Sequence, residues 1–531
     1  MPVRRRTLTT VVVAVVTVAL VVAALAGLAV RYGHRGQPFV AVSPAASPVP
    51  SVTFPSSAPE PQSQIRNVVL VLADDMDWKL WREIPRLAAL QAQGTTFTNY
   101  VVSESLCCPS RTTIFRGQYV HNHRVISNTV ETGGGWPTFR NDGYPQDCLP
   151  VWLHDAGVTT GLVGKYLNQY PETPAEQTLV PPGWDTFVVP ASRAAPYGGY
   201  DYLLNVNGTI VKHGSKPTNY IGDVINAQAA KFLRDATKAP SPGTPSAPFF
   251  LELATFAPHL PAPVAPRHIG SHAGSRAPRD PAFNTLVTNP PSWLAPVSAL
   301  DPTAIADIDA TWRQRAESAE SVADSVDTVM AELKASGHLN DTLVIVTSDN
   351  GFHAGSYGIP RGKRTAFDTD TVVPMVAIGP GVPAGKVVDD MVSETDLGPT
   401  ITAAMGAHAP DWVDGRSMLP LLSMSSAPTG QWRTGVLTEN VGDSQPGDPD
   451  FQLLAPHHFE ALLTRQWLYV RSGSGELELY DRIRDPYELD NIAGTAPGAL
   501  LDALNAQLNA LVACAGATCR QADAMTVPAM P

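Results

Sequence analysis

Long apolar runs alternate with amphipathic stretches through the middle of this chain. The run N-V-V-L-V-L-A-D-D from Asn67 is apolar until two acids end it, which predicts a buried parallel strand with Asp74 and Asp75 at its carboxyl end. The runs F-F-L-E-L-A-T-F and T-L-V-I-V-T-S-D-N-G have the same character, and residues 303–336 space apolar side chains as a helix does. Strands that alternate with helices predict an α/β fold with parallel strands.

The pattern changes beyond about residue 430. The runs H-F-E-A-L-L-T-R-Q-W-L-Y-V-R and E-L-E-L-Y-D-R predict short strands of a smaller antiparallel sheet. The patterns together divide the chain into a basic stub with an apolar anchor or signal at 1–36, a Pro/Ser-rich linker at 37–64, a large globular domain at 65–430, a subdomain at 431–500 and a tail at 501–531.

The N-terminus predicts export. Arg4, Arg5 and Arg6 precede an uncharged apolar run at 11–30, which is long enough to cross a bilayer as a helix with a cytoplasmic N-terminus. Small residues near the end of the run leave a cleaved signal peptide open as the alternative. We therefore expect an exported protein that is anchored in the cell membrane with its globular part outside, or that is secreted if the N-terminal segment is cleaved.

Composition narrows the function. The chain has 531 residues, of which 44% are hydrophobic and 16% charged, as in folded globular proteins. Its formal charge of −12 argues against nucleic acid as a partner, because nucleic-acid surfaces need clustered Lys and Arg. An anionic small substrate remains compatible, since a pocket can be positive inside an acidic protein.

The chain has five cysteines, two of which are adjacent. Outside the cytosol, Cys514 and Cys519 could close a small loop, and Cys108 with Cys148 is a possible second pair. That arithmetic makes Cys107 the odd cysteine and marks it for a chemical role.

Two predicted strand ends carry oxygen donors. Asp74 and Asp75 end the first strand, and Asp349 and Asn350 end a later one. Three carboxylates and an amide oxygen suit a hard cation such as calcium or magnesium. Taken alone, the Asp-Asp pair is more often a helix cap and the Asp-Asn-Gly sequence more often a turn. The occurrence of both pairs in one chain, together with the C-C-P-S-R motif that starts at Cys107, favours a divalent-cation site.

The motif C-C-P-S-R, which starts at Cys107, resembles the Cys-x-Pro-Ser-Arg signature of the type I sulfatases, the formylglycine-dependent members of the alkaline phosphatase superfamily. Further segments resemble family motifs in the same order along the chain: V-L-A-D-D, G-K-Y-L-N, F-A-P-H-L-P, S-D-N-G-F-H, G-K-R-T-A-F-D-T-D and L-Y-D-R-I-R-D-P-Y-E-L-D-N. The wording is most similar to glucosamine-6-sulfatase-like and arylsulfatase-like members.

The resemblance implies a fold and a reaction. The fold is a large mixed, mostly parallel sheet flanked by helices, with a smaller C-terminal antiparallel-sheet subdomain. The reaction is hydrolysis of sulfate monoesters in a sulfated small molecule or glycan. A formylglycine-generating enzyme would oxidise Cys107 to Cα-formylglycine, and one hydroxyl of the aldehyde hydrate would attack sulfur. By resemblance the metal is Ca²⁺, with Mg²⁺ suited to the same ligands, and the ligands are Asp74, Asp75, Cys107, Asp349 and Asn350.

The resemblance also assigns roles around this centre. Arg111 would stabilise the deprotonated hydrate, and Lys165 and Lys363 would contact the sulfate oxygens. His259 would protonate the leaving alkoxide. Asn168 and His353 are candidate substrate-binding residues.

Two segments depart from the family pattern: Phe115-Arg116-Gly117 stands where many members have Leu-Thr-Gly, and Leu167 stands where many have a histidine.

Two other functions fit the same motifs. Relatives with formylglycine hydrolyse phosphonate monoesters or phosphodiesters, because sulfuryl and phosphoryl groups are similar in shape and charge. A chain in which Cys107 stays unmodified would instead be a non-catalytic surface protein that binds sulfated ligands. The complete set of predicted metal ligands argues against the non-catalytic binder and leaves the phosphonate or phosphodiester hydrolase open.

Overall fold

The computed structural model of the protein describes residues 65–192, 194–239, 241, 244–423, 432–442, 456 and 458–527. The predicted anchor and linker at 1–64 lie outside these residues. Among the residues described, no helix combines the length and the apolar character that a membrane crossing requires.

The described part of the chain contains eighteen strands. In chain order they are β1 (Asn67–Ala73), β2 (Thr95–Phe97), β3 (Tyr100–Val101), β4 (Thr159–Gly164), β5 (Thr186–Pro190), β6 (Leu203–Val206), β7 (Thr209–Lys212), β8 (Phe249–Ala254), β9 (Thr342–Ser348), β10 (His353–Ala354), β11 (Arg361–Gly362), β12 (Met375–Ile378), β13 (Val387–Val388), β14 (Val392–Ser393), β15 (Gly435–Asn440), β16 (Phe459–Thr464), β17 (Trp467–Ser472) and β18 (Leu477–Asp481).

The same residues form thirteen α-helices, several of them single turns. They are α1 (Trp78–Glu83), α2 (Pro85–Ala88), α3 (Cys107–Arg116), α4 (Val120–His123), α5 (Gly135–Asn141), α6 (Leu149–Asp155), α7 (Ile221–Ala236), α8 (Pro302–Ser336), α9 (Asp368–Thr371), α10 (Leu397–Ala404), α11 (Leu419–Leu422), α12 (Gly498–Val512) and α13 (Ala517–Ala522).

Ten strands form one mixed sheet in the order β13-β2-β12-β9-β1-β8-β4-β5-β6-β7. The five central strands, β9 to β5 in that order, are parallel to one another, and the antiparallel pairs lie toward the two edges. A separate antiparallel sheet contains β15-β16-β17-β18. The predicted fold, a mostly parallel mixed sheet with a smaller C-terminal antiparallel sheet, is confirmed.

The central sheet is buried on both faces, which explains its continuously apolar strands. Alternate residues of β1 point to opposite faces. Val68 and Leu70 belong to a core cluster shared with α3, α6 and α10, whereas Val69 and Val71 belong to a second cluster shared with α7 and α8. Helices therefore cover both faces, and the edge formed by the carboxyl ends of the parallel strands is the place for polar groups.

The segment predicted as a tail at 501–531 contains most of α12 and all of α13. Leu504 and Leu508 of α12 pack with Leu462 and Leu479 of the small sheet in one buried cluster. The predicted domain boundaries stay predictions, but the residues described up to 527 are packed onto the C-terminal sheet.

One of the two expected disulfides is present. Cys514 and Cys519 are bonded, with their Cα atoms 4.8 Å apart. The second expected pair is wrong, because Cys108 and Cys148 are both buried thiols outside any disulfide. Each thiol is part of the apolar core, Cys108 in the first turn of α3 and Cys148 directly before α6.

Candidate active site

Four neighbouring parallel strands, β9, β1, β8 and β4, end at one edge of the sheet. Asp74 and Asp75 follow β1, Lys165 follows β4, and Asp349 follows β9. The loop after β8 carries His259. Residues far apart in the sequence therefore meet at this edge because the strands that precede them are adjacent and parallel.

Cys107 is brought to this edge by helix α3, of which it is the first residue. The Cys107 side chain is fully buried. Leu106, directly before the helix, provides no side-chain cap, and the amide of Cys108 instead donates to Oδ1 of Asn128 at 2.9 Å. The first turn of a helix has amide hydrogens without intrahelical acceptors, so a negatively charged group at Cys107 is favoured by its position.

Two side chains of opposite charge contact the Cys107 sulfur. The thiol donates to Oδ1 of Asp74 at 3.4 Å, and Nζ of Lys363 donates to the sulfur at 3.0 Å. Burial raises the pKa of the Cys107 thiol well above its usual value, although Lys165 and Lys363 oppose the rise. The unmodified residue is therefore a neutral thiol and a poor nucleophile.

The ligating atoms of Asp74, Asp75, Cys107 and His259 all lie within 4.8 Å of one another. Asn350 adjoins this group, because its amide nitrogen donates to Oδ1 of Asp75 at 2.6 Å. Its other amide atom, Oδ1, is buried and accepts no hydrogen bond from any residue that the structure describes. A buried oxygen without a donor beside two carboxylates fits a hard divalent cation.

Asp349 connects the strand end to helix α3. Its Oδ1 accepts from the backbone amide of Asp75 at 3.2 Å, and its Oδ2 accepts from Nε of Arg111 at 2.9 Å. Arg111 also donates through Nη1 to the carbonyl oxygen of Lys165 at 3.1 Å. Arg111 thus holds the ends of β9 and β4 together beneath Cys107.

The two predicted lysines lie on either side of the carboxylates. Nζ of Lys165 is 2.7 Å from Oδ2 of Asp74, and Nζ of Lys363 is 2.7 Å from Oδ1 of Asp75. Burial works against the charge of Lys165, but the Asp74 carboxylate and its other acidic neighbours together outweigh burial, and the pKa of Lys165 is raised well above its usual value. The two ammonium groups beside Cys107 also provide hydrogen-bond donors of the kind that the oxygens of a tetrahedral anion accept.

His259 is oriented by its own loop. Its Nδ1 donates to the carbonyl oxygen of Leu260, which assigns the ring hydrogen of the neutral form to Nδ1. Its Nε2 lies 3.9 Å from Oδ2 of Asp75. Nε2 is therefore the nitrogen that faces the carboxylate cluster.

A cavity of about 700 Å³ opens beside these groups, and Lys165, Asn168 and His259 line it. Its walls include the rings of Tyr166, Tyr170, Tyr197 and Phe256. Oδ1 of Asn168 is buried and has no hydrogen-bond partner within the described part of the chain. The cavity has room for one or two sugar rings next to the reactive centre.

His353 is placed differently from the other predicted residues. Its Nδ1 is 3.0 Å from Oδ1 of Asp370, and it pairs with Gly362 across the short β10–β11 ladder, next to Lys363. It is not among the residues that line the cavity. The other ten predicted site residues come together: Asp74, Asp75, Cys107, Arg111, Lys165, Asn168, His259, Asp349, Asn350 and Lys363.

Sequence reasoning missed Arg315, Asn128 and Tyr197. Arg315 is buried and donates through Nη2 to the carbonyl oxygen of Asp75. A signal for Arg315 existed, since it lies on the same helical face as the apolar Trp312 and Ala319. Asn128 and Tyr197 belong to connecting segments without a regular pattern, and nothing in the neighbouring sequence marks them.

Comparison with known proteins defines the class. Residues 66–407 match the family model described as Sulfatase, and residues 355–513 match the one described as N-sulphoglucosamine sulphohydrolase, C-terminal. The first match covers more than half of the chain. The chain belongs to the sulfatase family, and it is a hydrolase of sulfuric esters.

Individual relatives agree with this placement. N-acetylglucosamine-6-sulfatase of Capra hircus is 32% identical over 486 residues, which cover 86% of this chain and 84% of the relative. The structure of BT4656 in complex with its substrate D-glucosamine-2-N,6-O-disulfate has a TM-score of 0.68 at 18% identity, over 84% of this chain and 97% of that one. The phosphonate monoester hydrolase of Silicibacter pomeroyi has a TM-score of 0.63 at 21% identity, over 83% and 93%. At these identities the two structures show the fold alone.

Proposed function

We propose that this protein hydrolyses sulfate monoesters of a sugar-sized alcohol with a nucleophile made from Cys107. The observation that carries the proposal is the position of Cys107 at the N-terminus of α3, where its sulfur contacts Asp74 and Lys363. A buried, neutral thiol is a poor nucleophile. An oxygen nucleophile at the same position would lie among the carboxylates, the ammonium groups and the helix amides.

Conversion of Cys107 to Cα-formylglycine would supply a hydroxyl nucleophile as the aldehyde hydrate, and a bound cation would favour its deprotonated form. Lys165 and Lys363 are positioned to bind sulfate oxygens and to stabilise the charge that develops on them. In its protonated form His259 would carry a second hydrogen on Nε2, which is positioned to pass to the leaving alkoxide and leave the neutral imidazole with its hydrogen on Nδ1. Arg111 keeps Asp349 in place through its Nε hydrogen bond.

We assign the cation site to Asp74, Asp75, Asp349 and Asn350, with modified Cys107 completing it. Carboxylate and amide oxygens select hard cations, and calcium accepts irregular oxygen cages more readily than magnesium. Calcium is therefore the proposed ion.

The proposed substrate is a 6-sulfated glucosamine. The goat relative is named for N-acetylglucosamine 6-sulfate, and the cavity offers polar and aromatic walls of the kind that bind sugar rings. We propose Asn168, whose buried Oδ1 lacks a donor in the described chain, as a contact to the sugar. For His353, the Asp370 contact supports a role next to Lys363 rather than on the sugar.

A phosphonate or phosphodiester hydrolase on this scaffold is less favoured, because the family model and the relatives above 30% identity are sulfatases and the phosphonate hydrolase shares the fold alone. A non-catalytic binder of sulfated ligands remains an outcome of the test described below.

We also propose that a formylglycine-generating enzyme acts on the Cys-x-Pro-x-Arg core and that the catalytic domain works outside the cytoplasmic membrane. The Cys514–Cys519 disulfide and the basic, apolar N-terminus support an exported location. Protease treatment of intact cells tests this location. Loss of the full-length chain without lysis is expected, and protection until lysis would contradict it.

The first experiment is mass spectrometry of the reduced and alkylated tryptic peptide that contains Cys107, from protein made in its native host or with a formylglycine-generating enzyme. Conversion to the aldehyde is expected, together with hydrolysis of sulfate esters and little hydrolysis of a matched phosphonate ester. Cys107→Ala is expected to fold and to hydrolyse neither. An alkylated thiol in material from the native host would overturn the mechanism and favour the binding role.

A further inference from the structure

Tyr197 lies where the cavity meets the reactive centre. It belongs to a short 3-10 helix, Ala195–Gly198, and is half-buried. Its ring forms part of the cavity wall beside Lys165 and His259. No family motif in the sequence includes this residue. Tyr197 nevertheless contacts both Lys165, which would bind the sulfate, and His259, which would protonate the leaving alkoxide.

The ring of Tyr197 packs against the His259 imidazole in a tilted arrangement. The two ring centroids are 4.6 Å apart with an interplanar angle of 49°. The Tyr197 ring is held in turn by Phe256, whose centroid is 5.4 Å away at an angle of 89°, an edge-to-face contact. Nζ of Lys165 is 5.5 Å from the Tyr197 centroid.

These contacts complement the hydrogen bond that His259 makes through Nδ1. That bond fixes one edge of the imidazole but lets the ring tilt about it, and a packed aromatic face restricts this tilt. With the ring so held, Nε2 is directed toward the carboxylate cluster, where the scissile oxygen would lie. A proton donor must be within hydrogen-bond reach of its acceptor, so small tilts of the ring change its efficiency.

We propose that Tyr197 is a positioning residue for this reaction, which holds His259 for proton donation and forms the wall against which the carbon skeleton of the leaving alcohol packs. This inference rests on the proposed sulfatase function and adds a residue to it. The proposed role of Tyr197 differs from that of Lys165, because Lys165 would bind the sulfate and Tyr197 would contact the alcohol.

The proposal predicts a dependence on the leaving group. A sugar alkoxide is a strong base and needs a proton as the ester bond breaks, whereas 4-nitrophenolate is stabilised and leaves without one. Loss of the Tyr197 ring therefore affects esters of sugars far more than nitrophenyl sulfate. A change that merely loosened the fold would affect both esters alike.

The test uses the full chain with Cys107 converted and calcium present. For Tyr197→Ala we expect kcat/KM for D-glucosamine 6-sulfate to fall about 100-fold and that for 4-nitrophenyl sulfate to fall less than about tenfold. Tyr197→Phe keeps the ring and is expected to match wild type on both esters. Tyr200→Ala is the matched control, because Tyr200 packs on Tyr220 and does not line the cavity.

A double variant with His259→Ala identifies the route. If Tyr197 positions His259, Tyr197→Ala costs less activity on the sugar ester in the His259→Ala background than in wild type, because only its contact with the alcohol is then lost, whereas fully additive losses would overturn the proposal. An equal loss on both esters would also overturn it. If Tyr197→Ala does not fold in thermal unfolding, Tyr197→Leu provides the same comparison. Wild-type protein that carries the aldehyde yet cleaves neither ester would reject the sulfatase function itself.

Discussion

Lys165 carries a positive charge into a pocket that is also expected to bind a cation. Its Nζ is 2.7 Å from Oδ2 of Asp74 and 3.8 Å from Oδ2 of Asp349, so it neutralises the carboxylates that the cation needs. The lysine and the cation therefore repel each other while both attract sulfate.

We predict that Lys165→Met moves two measured quantities in opposite directions. Turnover of sulfate esters should fall about 10²- to 10³-fold, because a donor to the developing charge is lost. Calcium affinity, measured by titration calorimetry, should rise at least about tenfold, because a buried positive charge next to the site is removed. The control is Lys231→Met, because Lys231 forms an exposed ion pair with Asp235 on α7. This substitution should change neither turnover nor calcium affinity. Weaker calcium binding in Lys165→Met would contradict the assigned site.

Arg116, one of the departures from the family pattern, has a structural explanation. Its guanidinium lies between two aromatic rings, 3.9 Å from the Trp412 centroid and 4.3 Å from the Tyr144 centroid. Its Nε donates to Oε1 of Gln118 at 3.1 Å, and Nη1 donates to the carbonyl oxygen of Asp147. The residue at the end of α3 thus anchors the helix that positions Cys107.

Arg116→Lys should therefore destabilise the protein despite the conserved charge. A lysine cannot present a planar group to two rings or reproduce the forked hydrogen bonds, and we expect a loss of about 1 to 3 kcal/mol and a lower Tm in scanning calorimetry. Arg465→Lys, at an exposed ion pair with Asp389, serves as the comparison. An unchanged Tm for Arg116→Lys would show that the stacking contributes nothing to stability.

At the scale of elements, the sequence predicted those strands and helices that a local pattern of apolar residues determines. Strands β1, β8 and β9 were predictable because continuous apolar runs are typical of strands buried on both faces. The end of the chain was not, since the alternating small and apolar residues of α12 gain meaning only from the sheet they pack on. Strands β6 and β7, toward one edge of the sheet, are short and partly polar, and they are organised by pairing, β6 with β5 and β7 with β6.

Strand β18 carries a buried carboxyl that makes stability depend on pH. Burial raises the pKa of Glu478 from 4.5 to about 7, although hydrogen bonds from Tyr480 and Trp293 oppose the rise. The folded protein thus holds this proton more tightly than the unfolded chain does. The stability that this group contributes is present below pH 4.5 and is lost as pH rises from 4.5 to 7.

Glu478→Gln cannot ionise and should escape this loss. Relative to wild type, the variant is expected to gain on the order of 3 kcal/mol between pH 5 and pH 8, seen as a Tm difference that grows with pH. Glu317→Gln, at a partly exposed position of α8, is the matched control. A Tm difference between wild type and Glu478→Gln that stays constant from pH 5 to pH 8 would show that Glu478 does not titrate in this range.

At the scale of the whole molecule, the residues of the site were more predictable than the order of the strands that brings them together. Motifs identified Asp74, Lys165 and His259 individually, and the parallel order β9-β1-β8-β4 explains why they meet. Tyr197 was not predictable, because its contact with His259 depends on how an irregular segment folds over the strand ends. Local sequence does not encode such a contact.

The same assembly predicts that the proposed cation would stabilise the whole fold. Its proposed ligands lie at the ends of β1 and β9 and at the start of α3, so one ion would connect the sheet to the helix that carries Cys107. A ligand that binds only the folded state stabilises it by about 2.7 kcal/mol at one hundred times its Kd. Chelation should therefore lower Tm, and calcium should restore it.

The control for this prediction is Asp74→Asn, which removes one ligand charge and should abolish the difference in Tm with and without calcium. Asp389→Asn, at an exposed position on the surface, should keep the full difference. Magnesium in place of calcium measures selectivity, since a smaller ion fits an irregular oxygen cage less well and should restore less of the Tm. If chelation leaves the Tm of wild type unchanged, the carboxylate cluster holds no stabilising ion, and the contacts with Lys165, Lys363 and Arg111 must neutralise it.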